Sequence, residues 1–135
     1  MMPDRRAGVT VTLKHPPGES VPGNEFDITF NQHPETRRFE ECFYAAPNRI
    51  DVGKARVKYG SDLQALIVDA CISISKRLEH GESFAEVSGS LGENRAPGAA
   101  SGAPASLLGT IARMGAALDA EGIYLYEKEG EAPKC

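Results

Sequence analysis

Hydrophobic and polar residues alternate along three short segments in the first third of the chain. Alternation places every second side chain on the same face, so each segment is predicted to be a strand with one buried face. The segments are VTVTL (9–13), EFDITF (25–30) and FEECFYA (39–45). The polar stretch NQHPETRR between the last two predicts an antiparallel hairpin with a long loop. A weaker pattern over 49–59 predicts a short fourth strand.

Within the predicted hairpin, the period of two assigns side chains to faces. The residues sharing a face are Phe26, Ile28 and Phe30 on the first strand, and Phe39, Glu41 and Phe43 on the second. Cys42 lies on the opposite face of its strand from Phe43. If that face is covered, Cys42 is a core residue as well.

From residue 61 the spacing changes to the threes and fours of an α-helix. Ser61 is a favourable N-cap, Gln64 three residues later fits a capping box, and Gly81 is a natural stop. The predicted core-facing stripe consists of Leu63, Leu66, Ile67, Ala70, Cys71, Ile74 and Leu78. Val68 and Ile72 lie off this stripe. The helix is therefore apolar around much of its circumference and is predicted to be covered on two sides, either within the domain or against a partner.

Two shorter helices are predicted to follow. Ser83 caps the first, with Glu86 as its reciprocal partner, and the second begins near Ser106. The segment between them is rich in Gly, Ala, Pro and Ser, and its part 93–103 is predicted to be a protease-sensitive loop. The stretch GIYLYEKE (122–129) predicts a last short strand.

These elements predict an α+β fold in which a small antiparallel sheet of three to four strands packs against two to three helices. The predicted organisation is an N-terminal strand with a Pro/Gly-rich loop over 1–23, the α+β domain over 24–126 and a flexible tail over 127–135.

Composition narrows the classes of function. The formal net charge of −4 argues against broad nucleic-acid binding, which needs a basic face. The three cysteines form no CxxC pair, and their odd number argues against a secreted disulfide framework. No apolar run has the length of a membrane span, and the N-terminus lacks the apolar core of a signal peptide. A cytoplasmic protein without a membrane partner is expected.

Few residues have a spacing that indicates catalysis. His15, His33 and His80 share no helix or strand face, so no metal site is expected. Cys71 lies on the apolar stripe, which indicates an inert buried thiol. Glu40 and Glu41 are neighbours on a strand and point to opposite sides, so they cannot act as an acid/base pair. Neither a catalytic group nor a cofactor is expected.

One candidate binding site remains, at the start of the long helix. The backbone N–H groups of Gly60, Ser61 and Asp62, beside the Lys58 ammonium, have the makings of an anion site. The other interpretation is a capped helix start that needs no ligand, with Asp62 interacting with the helix dipole.

The order of motifs along the chain resembles the TSCPD domain. The matching positions are Glu41–Phe43 on a strand, Gly60–Ser61 at a helix start, Leu78–Gly81 at its end, Leu91–Gly92 after a short helix and Pro104–Ser106 before the last helix. The likeness covers roughly 24–120. That domain lies at the C-terminal end of adenosylcobalamin-dependent (class II) ribonucleotide reductases and also forms small stand-alone proteins of bacteria and prophages.

The resemblance implies an accessory or interaction domain linked to deoxyribonucleotide synthesis, with a ribonucleotide reductase or a replication protein as a possible partner. The stretch APASLL (103–108) stands where the family has a Cys-containing sequence, so a metal or redox role for that Cys is not expected. The catalytic barrel of the reductase has no counterpart here. The alternative is a small-ligand or nucleotide-binding module at Gly60–Asp62, and an independent enzyme has the least support.

The long helix also predicts self-association. Val68, Ile72 and Ser75 face away from the centre of the apolar stripe, and a small domain has few elements with which to cover them. Apolar residues left exposed together usually mark an interface, and two-fold pairing is its commonest form. A homodimer with these three residues at its interface is predicted.

Overall fold

The computed structural model describes residues 6–15, 23–46, 56–95, 97–98 and 102–126. The strands are β1 (Ala7–Lys14), β2 (Glu25–Gln32) and β3 (Phe39–Ala45), and the helices are α1 (Asp62–Glu79), α2 (Phe84–Gly89) and α3 (Leu107–Glu121). The sheet is antiparallel with β2 in the middle, and the helices pack on one face of it. The predicted α+β class is confirmed, and β1 is a full member of the sheet of the main domain.

The β3 strand contains a bulge that changes which of its residues are buried. Asn31 of β2 lies opposite Glu41, but Gln32, the next residue, lies opposite Phe39, so Glu40 is the extra residue. The extra residue returns Phe39 to the core face, where it is 1 % exposed, while Phe43 on the other face is 44 % exposed. The prediction that these two side chains share a face is therefore wrong.

The core lies between the inner face of the sheet and the three helices. Cys42 lies opposite Phe30 and is buried, as its position opposite Phe43 predicted. The ring of Phe84 from α2 packs edge-on against Phe30, with centroids 5.6 Å apart. The remaining buried apolar residues of the helices are Ile67, Ala70, Cys71, Ile74, Leu78, Val87, Ile111, Ala112 and Leu118.

The buried stripe of α1 is narrower than its sequence predicts. Leu63 and Leu66, predicted to face the core, are 37 % and 58 % exposed. The predicted seven residues span more of the helix circumference than the sheet and α3 cover. Leu63 lies in the first turn, and Leu66 lies to one side of the line from Ile67 to Ile74.

Each helix begins where the sequence predicts. The hydroxyl of Ser61 accepts a hydrogen bond from the Gln64 N–H, and that of Ser106 accepts one from the Gly109 N–H. Ser83 and Glu86 form the reciprocal capping box at α2. These caps satisfy backbone N–H groups that a first helical turn would otherwise leave without partners.

The last predicted strand does not form in the part of 122–129 that the structure describes, which ends at Tyr126. This segment bonds instead to the side chain of Gln32, which is fully buried. The amide of Gln32 donates to the Ile123 carbonyl and accepts from the Leu125 N–H, both at 2.7 Å. The Tyr124 hydroxyl donates to the Pro34 carbonyl at 2.8 Å. These three hydrogen bonds join the segment to the β2–β3 hairpin without a sheet ladder.

Two other predictions fall partly outside the described residues. Of the predicted fourth strand, 49–55 lie outside, and the remaining part forms one parallel bridge between Arg56 and Glu25. Of the predicted loop 93–103, residues 96 and 99–101 lie outside. Its ends are joined by a bridge between Glu93 and Pro104 and by a 2.7 Å hydrogen bond from the Asn94 N–H to the Ala103 carbonyl.

Candidate functional site

At the helix start Lys58–Asp62, two of the N–H groups on which the predicted anion site depends already have partners within the chain. The Gly60 N–H donates to the side chain of Gln64 at 2.7 Å, and the Ser61 N–H donates to the Lys58 carbonyl at 3.2 Å. The Ser61 hydroxyl, besides capping α1, donates to the same carbonyl at 2.6 Å.

This arrangement supports the interpretation of a capped helix start. Gln64 differs from a standard capping box because its side chain reaches Gly60, one residue before the N-cap. The carboxylate of Asp62 lies in the first turn, where the helix dipole favours a negative charge. An incoming anion would have to displace these internal bonds and approach that carboxylate.

A second surface lies where α1 runs beside β3. Phe43, Val68 and Ile72 are 44 %, 37 % and 51 % exposed and line one shallow cavity of about 380 Å³. Glu41, Lys76 and Glu79 are the acidic and basic residues among its described lining. We call the three apolar residues, together with these charged neighbours, the α1–β3 surface. All three predicted interface residues, Val68, Ile72 and Ser75, thus line one cavity with Phe43, which the sequence did not single out.

Ser75, the third predicted interface residue, joins α1 to the free edge of β3. Its hydroxyl donates to the Cys42 carbonyl at 2.9 Å and accepts from the Cys42 N–H at 3.1 Å. Cys42 therefore has both main-chain groups on the side of β3 away from β2, and one side chain satisfies both. Ser75 lines the floor of the α1–β3 cavity, but its hydroxyl is already used within the domain.

Replacing Ser75 tests this connection between α1 and β3. Ser75→Ala is expected to lower the free energy of unfolding by about 1–2 kcal/mol, since it leaves two main-chain groups of an edge strand without their partner. Ser73→Ala is the matched control, because Ser73 is exposed on the same helix and the change in helix propensity is the same. Urea denaturation of both variants measures the difference. Equal stability of the two would contradict a structural role for the Ser75 hydroxyl.

The two thiols under this surface have no catalytic setting. Cys42 and Cys71 are buried, and the Cys42 sulfur lies 3.9 Å from the Cys71 carbonyl oxygen. Hydrogen bonding with Cys71 and burial raise the pKa of the Cys42 thiol above its usual range. A thiol held protonated is a poor nucleophile, so Cys42 acts as a core side chain, and Cys71 is buried beside it.

The described outer face of the sheet is mostly polar apart from Phe43 and Ala45. Thr10 bonds Thr29 across β1 and β2 at 2.8 Å, and Asp27 accepts from Thr12 at 2.7 Å. The Arg56 guanidinium donates a bidentate pair of hydrogen bonds to the Asp27 carboxylate, the shorter at 2.6 Å. Burial alone would raise the pKa of Asp27, but the hydrogen bonds from Arg56 and Thr12 outweigh it and lower the pKa. This face therefore has the character of a solvated surface.

The described residues contain no cluster of three or more His, Cys, Asp or Glu side chains able to hold a metal ion. His15 bonds Thr110 at 2.7 Å through Nδ1, and burial lowers its pKa. Asp119 was not noticed in the sequence, although its Oδ1 accepts from the Phe39 N–H at 2.7 Å and burial raises its pKa. It anchors the start of β3 on α3.

Comparisons with protein-family models, with curated proteins and with solved structures found no match to this chain. In the part of the chain that the structure describes, no helix has the combination of length and hydrophobicity that crossing a bilayer requires. Of the surfaces described so far, the α1–β3 surface is the one whose composition differs from an ordinary solvated exterior.

Proposed function

We propose that this chain is an interaction domain that works through protein contacts at the α1–β3 surface, in the first place by pairing with a second copy of itself. The observation that carries the proposal is the joint exposure of Phe43, Val68 and Ile72, which come from two elements and line one cavity. Single exposed hydrophobic residues are common, whereas contiguous ones mark interaction sites. A two-fold contact would cover this surface on both copies at once.

The charges around Ile72 suit such a pairing. Asp69 and Lys76 are both exposed and lie three residues before and four residues after Ile72, which places all three on one side of α1. If two copies of α1 pack antiparallel about an axis at Ile72, Asp69 of each copy lies opposite Lys76 of the other. Two ion pairs then flank an apolar centre. A parallel arrangement would instead bring like charges together.

The biological setting that we propose rests on the resemblance to the TSCPD domain. Its motifs coincide with boundaries of observed elements: Gly60–Ser61 precedes α1, Leu78–Gly81 includes its end, and Pro104–Ser106 precedes α3. On this basis the domain is an accessory protein of the cytoplasm linked to deoxyribonucleotide synthesis. A ribonucleotide reductase or a replication protein is then the further partner. The support for this setting is the order and spacing of the motifs.

Photo-crosslinking in the native host tests the interface and its partner together. With p-benzoylphenylalanine in place of Ile72, irradiation is expected to give an adduct of twice the mass of the chain. The same photoreactive residue in place of Ala85, which is exposed on α2, is the control. Mass spectrometry identifies what each adduct contains.

The possible results separate the two parts of the proposal. An adduct with a ribonucleotide reductase or a replication protein would support the link to deoxyribonucleotide synthesis. Adducts of the chain with itself alone would leave the interface standing and contradict that link. If every adduct formed from position 72 also formed from position 85, the α1–β3 surface would not be an interface.

A further inference from the structure

A pocket of about 450 Å³ lies on the other side of the domain, between β1 and α3. Its lining residues are Thr12, Leu13 and Lys14 from β1, Thr110, Arg113, Met114 and Ala117 from α3, and Pro104. We call this the β1–α3 pocket. Its volume is in the range of small-molecule sites, and none of its residues belongs to the α1–β3 surface.

The lining combines an apolar floor with a cationic rim. Leu13, Met114 and Ala117 supply aliphatic and thioether surface, while the ionisable residues of the described lining, Lys14 and Arg113, are both cations. The chain as a whole has a net charge of −4, so two cations and no acid among the described lining residues depart from its average surface.

The guanidinium of Arg113 is available to a ligand. Its Nη1 makes one long contact, 3.4 Å to the Gly102 carbonyl oxygen, and among the described residues no carboxylate lies within ion-pair distance of it. Lys14 lies opposite Glu25 in the sheet, which offsets part of its charge. Arg113 is therefore the main anchor for a negative charge.

The edge of β1 that faces away from β2 pairs with no other described strand and adds main-chain donors to the same pocket. The His15 N–H donates to the Asn24 carbonyl, so His15 directs its main-chain groups at β2. Because these groups alternate along an antiparallel strand, those of Thr12 and Lys14 point away from β2, to the side where the pocket lies. An anion held by Arg113 would find N–H groups there as further donors.

We infer that the β1–α3 pocket binds a small amphipathic anion, with its aliphatic body on Leu13 and Met114 and its carboxylate at Arg113. The described lining residues include no aromatic side chain on which a nucleobase would stack. The combination favours an aliphatic carboxylate over a nucleotide. This site is separate from the proposed interface and does not depend on it.

Octanoate and 1-octanol are the probes that test this inference, since they share the aliphatic body and differ in charge. Calorimetric titration of the whole chain is expected to show octanoate binding about tenfold more tightly or better, the size of one charge-assisted hydrogen bond. Arg113→Gln should remove that advantage and leave 1-octanol binding unchanged. Lys76→Gln, at the rim of the α1–β3 surface, should change neither affinity.

A second variant and a map of the site complete the test. Ala117 is exposed on α3, so Ala117→Glu is expected to keep the fold, confirmed by its thermal unfolding, and to abolish octanoate binding by placing a carboxylate on the pocket wall. Amide NMR shifts on octanoate addition should centre on Thr110 to Ala117. No binding at millimolar octanoate, equal affinity for the two probes, or shifts centred on Val68 and Ile72 would each overturn the inference.

Discussion

Adding a single methyl group at Gly115 is expected to destabilise the domain by about 2–3 kcal/mol, even though alanine is favoured over glycine in a helix by about 1 kcal/mol. A Cβ at this position of α3 would lie 2.3 Å from Cδ1 of Phe84. The Phe84 ring is fully buried and packs edge-on against Phe30, so it has no free space into which to retreat. Chemical denaturation of Gly115→Ala measures the loss.

Gly89 provides the matched control for this substitution. It is also a helical glycine, at the end of α2, and a Cβ there would meet no atom within 4 Å. Gly89→Ala is therefore expected to leave stability unchanged or to raise it by up to about 1 kcal/mol. If Gly115→Ala behaved in the same way, the close approach of α2 to α3 at Phe84 would be contradicted.

A double substitution locates the cause of the loss. Phe84→Leu alone removes part of the buried ring and should also destabilise the domain. Combined with Gly115→Ala, it should cost less than the sum of the two single changes, because the smaller side chain leaves room for the new methyl group. Additive losses would place the effect of Gly115→Ala elsewhere.

Features governed by neighbouring residues could be predicted from the sequence. Ser61, Ser83 and Ser106 were recognisable as N-caps because the bond that makes a cap joins a side chain to a backbone N–H two or three residues away. The three strands were recognisable because alternation is likewise local. These signals were sufficient to predict the α+β class.

Features governed by distant contacts could not be predicted in this way. The bulge that buries Phe39 depends on the pairing of β3 with β2. The conformation of Ile123–Tyr126 depends on hydrogen bonds with Gln32, some ninety residues earlier. The exposure of Leu63 and Leu66 depends on how far the sheet extends beneath α1. Periodicity states which residues share a face, but it does not state how much of a helix its neighbours cover.

The same distinction between local and distant contacts applies to the candidate sites. The exposure of Val68 and Ile72 could be predicted because their positions on α1 follow from helical spacing alone. Phe43 was missed as their neighbour because its face depends on the bulge, and the role of Ser75 depends on an edge of β3 that only the fold defines. The β1–α3 pocket was missed because Lys14 and Arg113 are far apart in the sequence.

Ile72→Lys is expected to weaken self-association of the chain by at least about 100-fold, since pairing would then bury an ammonium group without a partner. The monomer should keep its fold, because Ile72 is 51 % exposed and takes no part in the core. Leu66→Lys is the control: Leu66 is equally apolar and 58 % exposed, but lies on the other flank of α1. Sedimentation equilibrium and circular dichroism measure the two properties. Monomeric wild-type protein at high micromolar concentration would contradict the dimer itself.

Exchanging charges tests the antiparallel arrangement within that dimer. Asp69→Lys should weaken pairing by roughly tenfold, because each of the two symmetric contacts would then set the introduced ammonium group against Lys76 of the other copy. Lys76→Asp should do the same by opposing two carboxylates. The double variant restores opposite charges at both contacts, so its dissociation constant should return close to that of the wild type. Added salt should reduce the differences in dissociation constant among the wild type and the three variants, because it screens the charges. If the double variant instead lost as much dimer affinity as the two single variants combined, α1 would not pair with itself about Ile72 in this register.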